Sequence, residues 1–114
     1  MNSLRNKVHL IGHLGMKPEV KEMSNGKKKA SFSVATNEQY KNSEGVSVKE
    51  TQWHRVTAFG KLAEVAEKYL DKGREIAIEG KLITRTHNDK AGAKKFFTEV
   101  QASDLLMLGS KPKD

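Results

Sequence analysis

The feature that most restricts the fold is the alternation of side chains along residues 53–59. In an extended strand, successive side chains point to opposite faces. One face carries Trp53, Arg55, Thr57 and Phe59, and the other carries His54, Val56 and Ala58. A guanidinium in a protein core needs a partner, so a face that mixes two aromatic rings with Arg55 favours solvent exposure. The segment therefore predicts a strand with an exposed aromatic and cationic face and a small apolar face that packs inward.

The remaining sequence predicts further strands and one helix. Predicted strands span residues 8–12, 20–23, 30–36, 48–59, 75–86 and 95–102. Asn25-Gly26 is a strong hairpin signal, the polar residues 37–47 predict a long loop, and residues 88–93 predict a hairpin loop. Apolar residues at helical spacing predict one helix, which would end at Gly73. These residues are Leu62, Val65, Ala66, Tyr69 and Leu70.

Two details concern the predicted core. Gly80 lies on the apolar face of its strand, where a missing side chain suits the sharp bend of a barrel corner. Alternation also places at least two of the three residues Phe32, Phe96 and Phe97 in the core, because Phe96 shares its face with Val100. With the short segment 20–23 left out of the count, three strands, a helix and two further strands, with bends at glycines, predict an all-β fold with one helix.

The predicted fold class is the OB-fold, a five-stranded Greek-key barrel with a helix between strands 3 and 4. We expect it to span residues 1–109, followed by a loose end at 110–114. An open α+β sheet of the RNA-recognition kind is the alternative, but its βαββαβ order needs two helices, and the sequence offers one.

Composition restricts the function. The chain has 114 residues, a net charge of +7 and no cysteine, which fits a reducing cytoplasm and excludes thiolate metal sites. No segment is long and apolar enough to span a membrane. His9 and His13 would lie about 13 Å apart on a strand, so no metal or cofactor is expected. Because no group suits nucleophilic attack or proton transfer, the sequence does not predict an enzyme.

The positive charge is concentrated in two segments. Residues 1–36 carry seven basic and two acidic residues, and residues 81–97 carry five basic and one acidic. A phosphate backbone is the commonest partner for such a distribution, and exposed aromatic rings beside cations are typical of surfaces that stack unpaired bases. A nucleic-acid-binding surface is therefore the leading hypothesis. A protein- or sugar-binding module on the same barrel face is the alternative.

The sequence resembles the bacterial single-stranded DNA-binding proteins over nearly its whole length, from Asn6-Lys7-Val8 to Met107-Leu108-Gly109. The matching motifs are Gly12-His13-Leu14-Gly15, Pro18-Glu19, Asn25-Gly26, Trp53-His54-Arg55-Val56, Phe59-Gly60-Lys61-Leu62-Ala63-Glu64-Val65-Ala66, Tyr69-Leu70, Lys72-Gly73, Ile78-Glu79-Gly80 and Thr98-Glu99-Val100. The resemblance implies a cytoplasmic, nucleoid-associated homotetramer that binds single-stranded DNA and protects it during replication, recombination and repair. A primosomal-type or RNA-binding paralogue is the alternative.

The resemblance also implies roles for individual residues. Base stacking is implied for Tyr40, Trp53 and Phe59, and contacts to the DNA backbone for Arg55, Lys61, Lys72 and Arg85. His87 stands where the family has a further tryptophan, so one stacking position is weakened although an imidazole still stacks. His54 is implied at a subunit interface.

The C-terminal end differs from the family pattern. The sequence ends at Lys111-Pro112-Lys113-Asp114, without the long linker and acidic tip that recruit replication and repair proteins in typical members. Either the chain is a shortened form or the protein is a short paralogue, and recruitment of such partners is not expected from this sequence.

Overall fold

A long antiparallel hairpin and a second, similar hairpin form most of the sheet. The computed structural model describes residues 5–109, and the predicted loose end at 110–114 lies outside them. The elements in chain order are β1 (Val8–Leu14), β2 (Glu19–Glu22), β3 (Lys28–Lys41), β4 (Ser47–Phe59), α1 (Lys61–Tyr69), β5 (Glu75–Asn88) and β6 (Lys94–Met107).

The strands close into a barrel. Their order is β1-β5-β6-β4-β3-β2, and β1 also pairs with β3 through Leu14 and Val34. Five strands thus form the barrel, while β2 extends the edge of β3 beside β1. The last connection is a parallel contact of β4 with β6 at two residue pairs, Val56 with Val100 and Thr57 with Gln101. The OB-fold prediction is confirmed, and the open sheet with two helices is excluded for the described residues.

The position of the helix needs one correction in numbering. It was predicted between strands 3 and 4, and it lies between β4 and β5. The reason is that the four-residue β2 is a separate strand, paired antiparallel with β3. Within residues 5–109, no helix is long and apolar enough to cross a membrane.

Alternating side chains of the barrel strands fill the core. Phe32 and Val34 of β3 face Val56 of β4 and Ile76 of β5, and all four are buried. Helix α1 covers this core with Ala63 and Ala66, which are fully buried. Alanine lets the helix approach closely, and each large apolar side chain buried contributes about 1.5–3 kcal/mol.

Gly80 marks the predicted bend. The register of β5 against β6 shifts between Glu79 and Gly80, which indicates a β-bulge. A Cβ added at Gly80 would overlap the carbonyl oxygen of Gln101, so the backbones approach there too closely for any side chain. The interpretation of this glycine as a barrel corner is confirmed.

The predicted long loop at residues 37–47 is wrong. Residues 37–41 continue β3 and pair with β4, and only the turn between Lys41 and Ser47 is irregular. In that turn, the Asn42 side chain accepts hydrogen bonds from the backbone N–H groups of Glu44 and Val46, at 2.9 and 3.0 Å. This stretch is polar because the hairpin projects from the barrel and is solvated on both faces. It forms the β3–β4 arm, residues 37–51.

The β5–β6 hairpin projects in the same way, and this corrects the prediction for the phenylalanines. Phe32 is buried, but Phe96 is 66% exposed and Phe97 51% exposed. Phe96 does share its face with Val100, yet at its position the barrel wall on the opposite side has ended. Residues 83–98 therefore form the β5–β6 arm, on which both rings contact solvent.

Candidate nucleic-acid interface

The outer face of β4 has the predicted side chains, but it is not uniformly exposed. Trp53 is 61% exposed, and Arg55 also reaches solvent. Phe59 is half-buried at the end of the strand, where the Lys29 ammonium lies 5.9 Å from the centre of its ring. Thr57 is fully buried, and its hydroxyl oxygen has no hydrogen-bond partner among the described residues. The exposed face is therefore centred on Trp53 and Arg55.

The Trp53 indole lies against Gly15, just after β1. A Cβ added at Gly15 would overlap the benzene ring of the indole. The Gly15 backbone N–H donates to the carbonyl oxygen of Ser33 at 3.0 Å, which fixes the backbone beneath the ring. The sequence did not predict this contact, because a close approach between distant segments leaves no local pattern.

We predict that Gly15→Ala displaces the indole. The added methyl group should push the ring further into solvent and red-shift the emission of Trp53, the single tryptophan of the chain. Because an exposed ring can move, the loss in unfolding free energy should be about 1 kcal/mol or less, the low end for overpacking. Lys17→Ala, two residues further on, serves as the control. An unchanged emission maximum in Gly15→Ala would contradict the contact.

A buried carboxylate joins β4 to the β5–β6 arm. The Glu99 side chain is buried on the outer face of β6, and it accepts a hydrogen bond from Nε of Arg85. Its other carboxylate oxygen lies 3.9 Å from Nε of Arg55. A buried carboxylate is stable only when it is paired, and here it holds two guanidinium groups whose side chains remain about half or more exposed. Sequence reasoning did not single out Glu99, since its two partners are distant in the chain.

Two open clefts meet at Arg55, which lines both. One, of about 270 Å³, lies beneath Trp53 and is also lined by Met16 and Ser33. The other, of about 260 Å³, reaches the β5–β6 arm and includes Arg85 and Phe97. The outer surface of the barrel thus carries a continuous path of rings and cations.

The lysines near this surface have different surroundings. Lys28 donates a hydrogen bond to a carboxylate oxygen of Glu67 on α1 at 2.8 Å, and this bond raises the pKa of Lys28 above its ordinary value. Lys29 instead lies over Phe59. Lys61 is exposed at the first turn of α1. Lys72 is exposed in the turn before β5, where the next residue, Gly73, donates a backbone hydrogen bond of 2.8 Å to Leu14.

Tyr40 is separated from the other predicted stacking residues. It is exposed on the β3–β4 arm and pairs with Val48. Alternation from this pair places Tyr40 on the opposite face of the hairpin from Trp53. The structure therefore brings Trp53, Arg55 and Arg85 onto one surface but does not bring Tyr40 beside them.

His87 and His54 lie in contrasting places. His87 is exposed on the β5–β6 arm, with its ring centre 6.5 Å from that of Phe97. His54 is half-buried on the inner face of β4, where Nε2 lies 2.9 Å from the hydroxyl of Thr36. No group of three or more metal-ligating side chains occurs among residues 5–109.

Comparison with known proteins identifies the family. The sequence profile described as "Single-strand binding protein family" matches residues 5–108. The chain belongs to this family. The family resemblance of the motifs is therefore confirmed, and the matched range includes every residue of both clefts.

Two relatives from the family have high identity. A protein named single-stranded DNA-binding protein 1 from Chlorobaculum tepidum is 49% identical over 107 residues, which are 93% of this chain and 66% of that protein. A protein of the same name from Xylella fastidiosa is 42% identical over 107 residues, 93% of this chain and 79% of that protein. The chain thus spans about two thirds of the length of the first relative.

Solved structures agree with the barrel. The Plasmodium falciparum SSB in complex with ssDNA superposes with a TM-score of 0.86 at 34% identity, covering 91% of this chain and 95% of that one. A deletion mutant of the single-stranded DNA binding protein from Thermus aquaticus gives 0.82 at 29% identity, covering 93% of this chain and 51% of that one.

Proposed function

We propose that this protein binds single-stranded DNA with little sequence preference. The observation that carries the proposal is the outer face on which the exposed Trp53 ring lies next to Arg55. Family membership supports it, as do two relatives named for single-stranded DNA binding and the structural match to a complex with ssDNA. Duplex DNA should bind poorly, because its bases are already stacked on one another.

Stacking and charge neutralisation supply the mechanism. An unpaired base that stacks on an aromatic ring contributes about 1–3 kcal/mol, and cations along the groove neutralise phosphates. We assign stacking to Trp53, Phe59, Tyr40 and His87, and phosphate contacts to Arg55, Lys61, Lys72 and Arg85. On this assignment the protein acts by binding and has no catalytic group.

Titration with polythymidine tests the proposal. Trp53 is the single tryptophan, so its emission should be quenched and should reach a plateau at a defined ratio of nucleotides to protein. Raising the salt concentration should weaken binding with a slope of about −0.7 per phosphate neutralised. Affinity that hardly changes with salt would overturn the electrostatic part, and absence of quenching would overturn the stacking part. Polyuridine is the comparison that separates an RNA-binding paralogue, since only RNA carries the 2′-hydroxyl.

Glu99→Gln should alter affinity and stability in opposite directions. The substitution removes the negative charge between Arg55 and Arg85, so we expect severalfold tighter binding to a thymidine oligonucleotide at low salt. The unfolding free energy should fall by about 1–2 kcal/mol, because the charge-assisted hydrogen bond from Arg85 becomes a neutral one while both guanidinium groups can return to water. Fluorescence anisotropy and chemical denaturation measure the two effects. Weaker binding at low salt would contradict this account.

Self-association is the second part of the proposal. Ile11, Ala77 and Leu106 lie directly opposite one another across β1, β5 and β6. Ile11 and Leu106 are each 63% exposed, so the row is an apolar strip on the barrel surface. We propose that a second copy of the chain covers this strip within a homotetramer, and that His54 lies at a subunit interface, as the family resemblance implies.

Ile11→Asp is expected to disrupt the assembly. A carboxylate in the centre of an apolar interface must be desolvated without a partner, so the molar mass measured by light scattering should fall towards that of smaller species. Lys21→Asp, on the exposed edge strand β2, serves as the control. An unchanged molar mass in Ile11→Asp would place the interface elsewhere.

The cellular role follows from this activity. A protein that coats unpaired strands would protect them during replication, recombination and repair, and it would be found at the nucleoid.

A further inference from the structure

We propose that Phe97 is the main base-stacking ring of the β5–β6 arm, and that Phe97, His87 and Arg85 form a subsite for one unpaired nucleotide. This inference rests on the proposed binding of single-stranded DNA and deepens it. Neither the family resemblance nor the sequence pattern assigned a binding role to Phe97.

The first argument is the position of the ring. Phe97 is 51% exposed on the outer face of the β5–β6 arm. It contributes to the cleft shared by Arg55 and Arg85. A large apolar ring that stays half exposed in a cationic cleft is poorly explained by packing, whereas a base supplies the flat apolar surface that would cover it.

The second argument is that neighbouring side chains hold the ring. The centres of the Phe97 and His87 rings are 6.5 Å apart, and the ring planes are inclined by 55°. The separation lies within the range of interacting aromatic pairs. Because His87 is inclined to Phe97, the two rings do not stack flat on each other, and a base can lie on the larger phenyl ring.

The third argument is that a cation, Arg85, lies on the same face of the arm as Phe97. Arg85 is directly opposite Phe97 in the antiparallel register of β5 and β6, so both side chains leave the same face. The buried carboxylate of Glu99 accepts the Nε hydrogen bond of Arg85 and leaves the rest of the half-exposed guanidinium for a phosphate. A nucleotide offers a base and a phosphate together, which matches the pairing of Phe97 with Arg85.

The subsite is continuous with the surface around Trp53. Glu99 contacts Arg85 on the arm and Arg55 on β4, and Arg55 is two residues from Trp53 on the same strand face. A strand whose base stacks on Trp53 therefore meets two cations before it reaches Phe97. The predicted path runs across the barrel from β4 to the β5–β6 arm.

Phe96 provides a matched control. It is the same residue type, is adjacent in sequence and is more exposed, at 66%. It pairs with Thr86 on the opposite face of the arm, away from Arg85 and His87. Truncating either ring should have a similarly small effect on folding, which circular dichroism and thermal melting verify.

The experiment compares Phe97→Ala with Phe96→Ala in the full chain. Anisotropy of a labelled thymidine oligonucleotide should show roughly fivefold to hundredfold weaker binding for Phe97→Ala, the loss expected for one stacked base, and no more than a twofold change for Phe96→Ala. Phe97→Tyr, which keeps an aromatic ring, should bind with the affinity of the unsubstituted protein. On an abasic strand of equal length, Phe97→Ala should bind like the unsubstituted protein, whereas Arg85→Ala should still bind more weakly.

A spectroscopic variant tests stacking directly. In a Trp53→Phe background, a tryptophan introduced by Phe97→Trp should be quenched on binding thymidine, and one introduced by Phe96→Trp should not. Equal affinities for Phe97→Ala and Phe96→Ala, or equal quenching of the two reporters, would overturn the subsite while the unsubstituted protein still binds. If the unsubstituted protein fails to bind single strands, the subsite and the proposed function are both overturned.

Discussion

Trp53→Ala is expected to weaken binding to a thymidine oligonucleotide by roughly tenfold to a hundredfold, within the range for loss of one stacked base. The indole is 61% exposed on the outer face of β4, and its benzene ring lies close to the backbone at Gly15. Its removal leaves a wide gap in the stacking surface but buries no new polar group. Because the variant lacks tryptophan, anisotropy of a labelled oligonucleotide is the appropriate measurement.

The control for Trp53→Ala is Tyr69→Ala. Tyr69 is also about half exposed, but it lies at the end of α1, with the Lys68 ammonium 5.5 Å from its ring centre. We expect its truncation to leave affinity within a factor of two. If Trp53→Ala and Tyr69→Ala bind the oligonucleotide with equal affinity, the outer face of β4 does not bind the DNA.

Phe32→Ala should have the largest effect on stability. The ring is buried in the barrel between β3 and β4, and truncating a buried phenylalanine costs about 3–5 kcal/mol through lost burial and the cavity left behind. For a domain of this size, the melting temperature should fall by roughly 10–20 °C. Denaturant titration and calorimetry at a fixed protein concentration measure it.

Phe96→Ala is the matched comparison for stability. Since this ring lies in solvent on the β5–β6 arm, its removal should change the unfolding free energy by no more than about 0.5 kcal/mol. A cost for Phe96→Ala that approaches that of Phe32→Ala would mean that the arm folds back over the ring.

The barrel itself was predictable from local pattern. Alternation along β4 identified Val56 and Ala58 as inward residues and Trp53 as an outward one, because side-chain direction in a strand depends only on its period of two. Gly80 was recognised as a bend for a similarly local reason, the absence of a side chain on an otherwise apolar face. These features need no knowledge of the distant parts of the chain.

The arms and the contacts of the site were not predictable in this way. Alternation gave the correct face for Phe96, but it could not show that the opposing wall ends before that position. The polar residues 37–41 were interpreted as a loop, since a strand solvated on both faces lacks the apolar alternation that identifies strands. Glu99 acquires its importance from Arg55 and Arg85, and only the closed barrel brings those three residues together.

The short parallel connection of β4 with β6 has a mechanical consequence. Only two residue pairs connect β4 with β6, as at the contact of β1 with β3, so the barrel wall has few backbone hydrogen bonds at this place. The carboxylate of Glu99 spans the β4–β6 contact beside those pairs. Single-stranded DNA that extends from Trp53 to Arg85 would cross the contact of β4 with β6 and hold the two strands together. Backbone amides of Val56 and Val100 would then exchange their hydrogens with solvent more slowly in the complex. Binding of DNA would therefore itself stabilise the closed barrel.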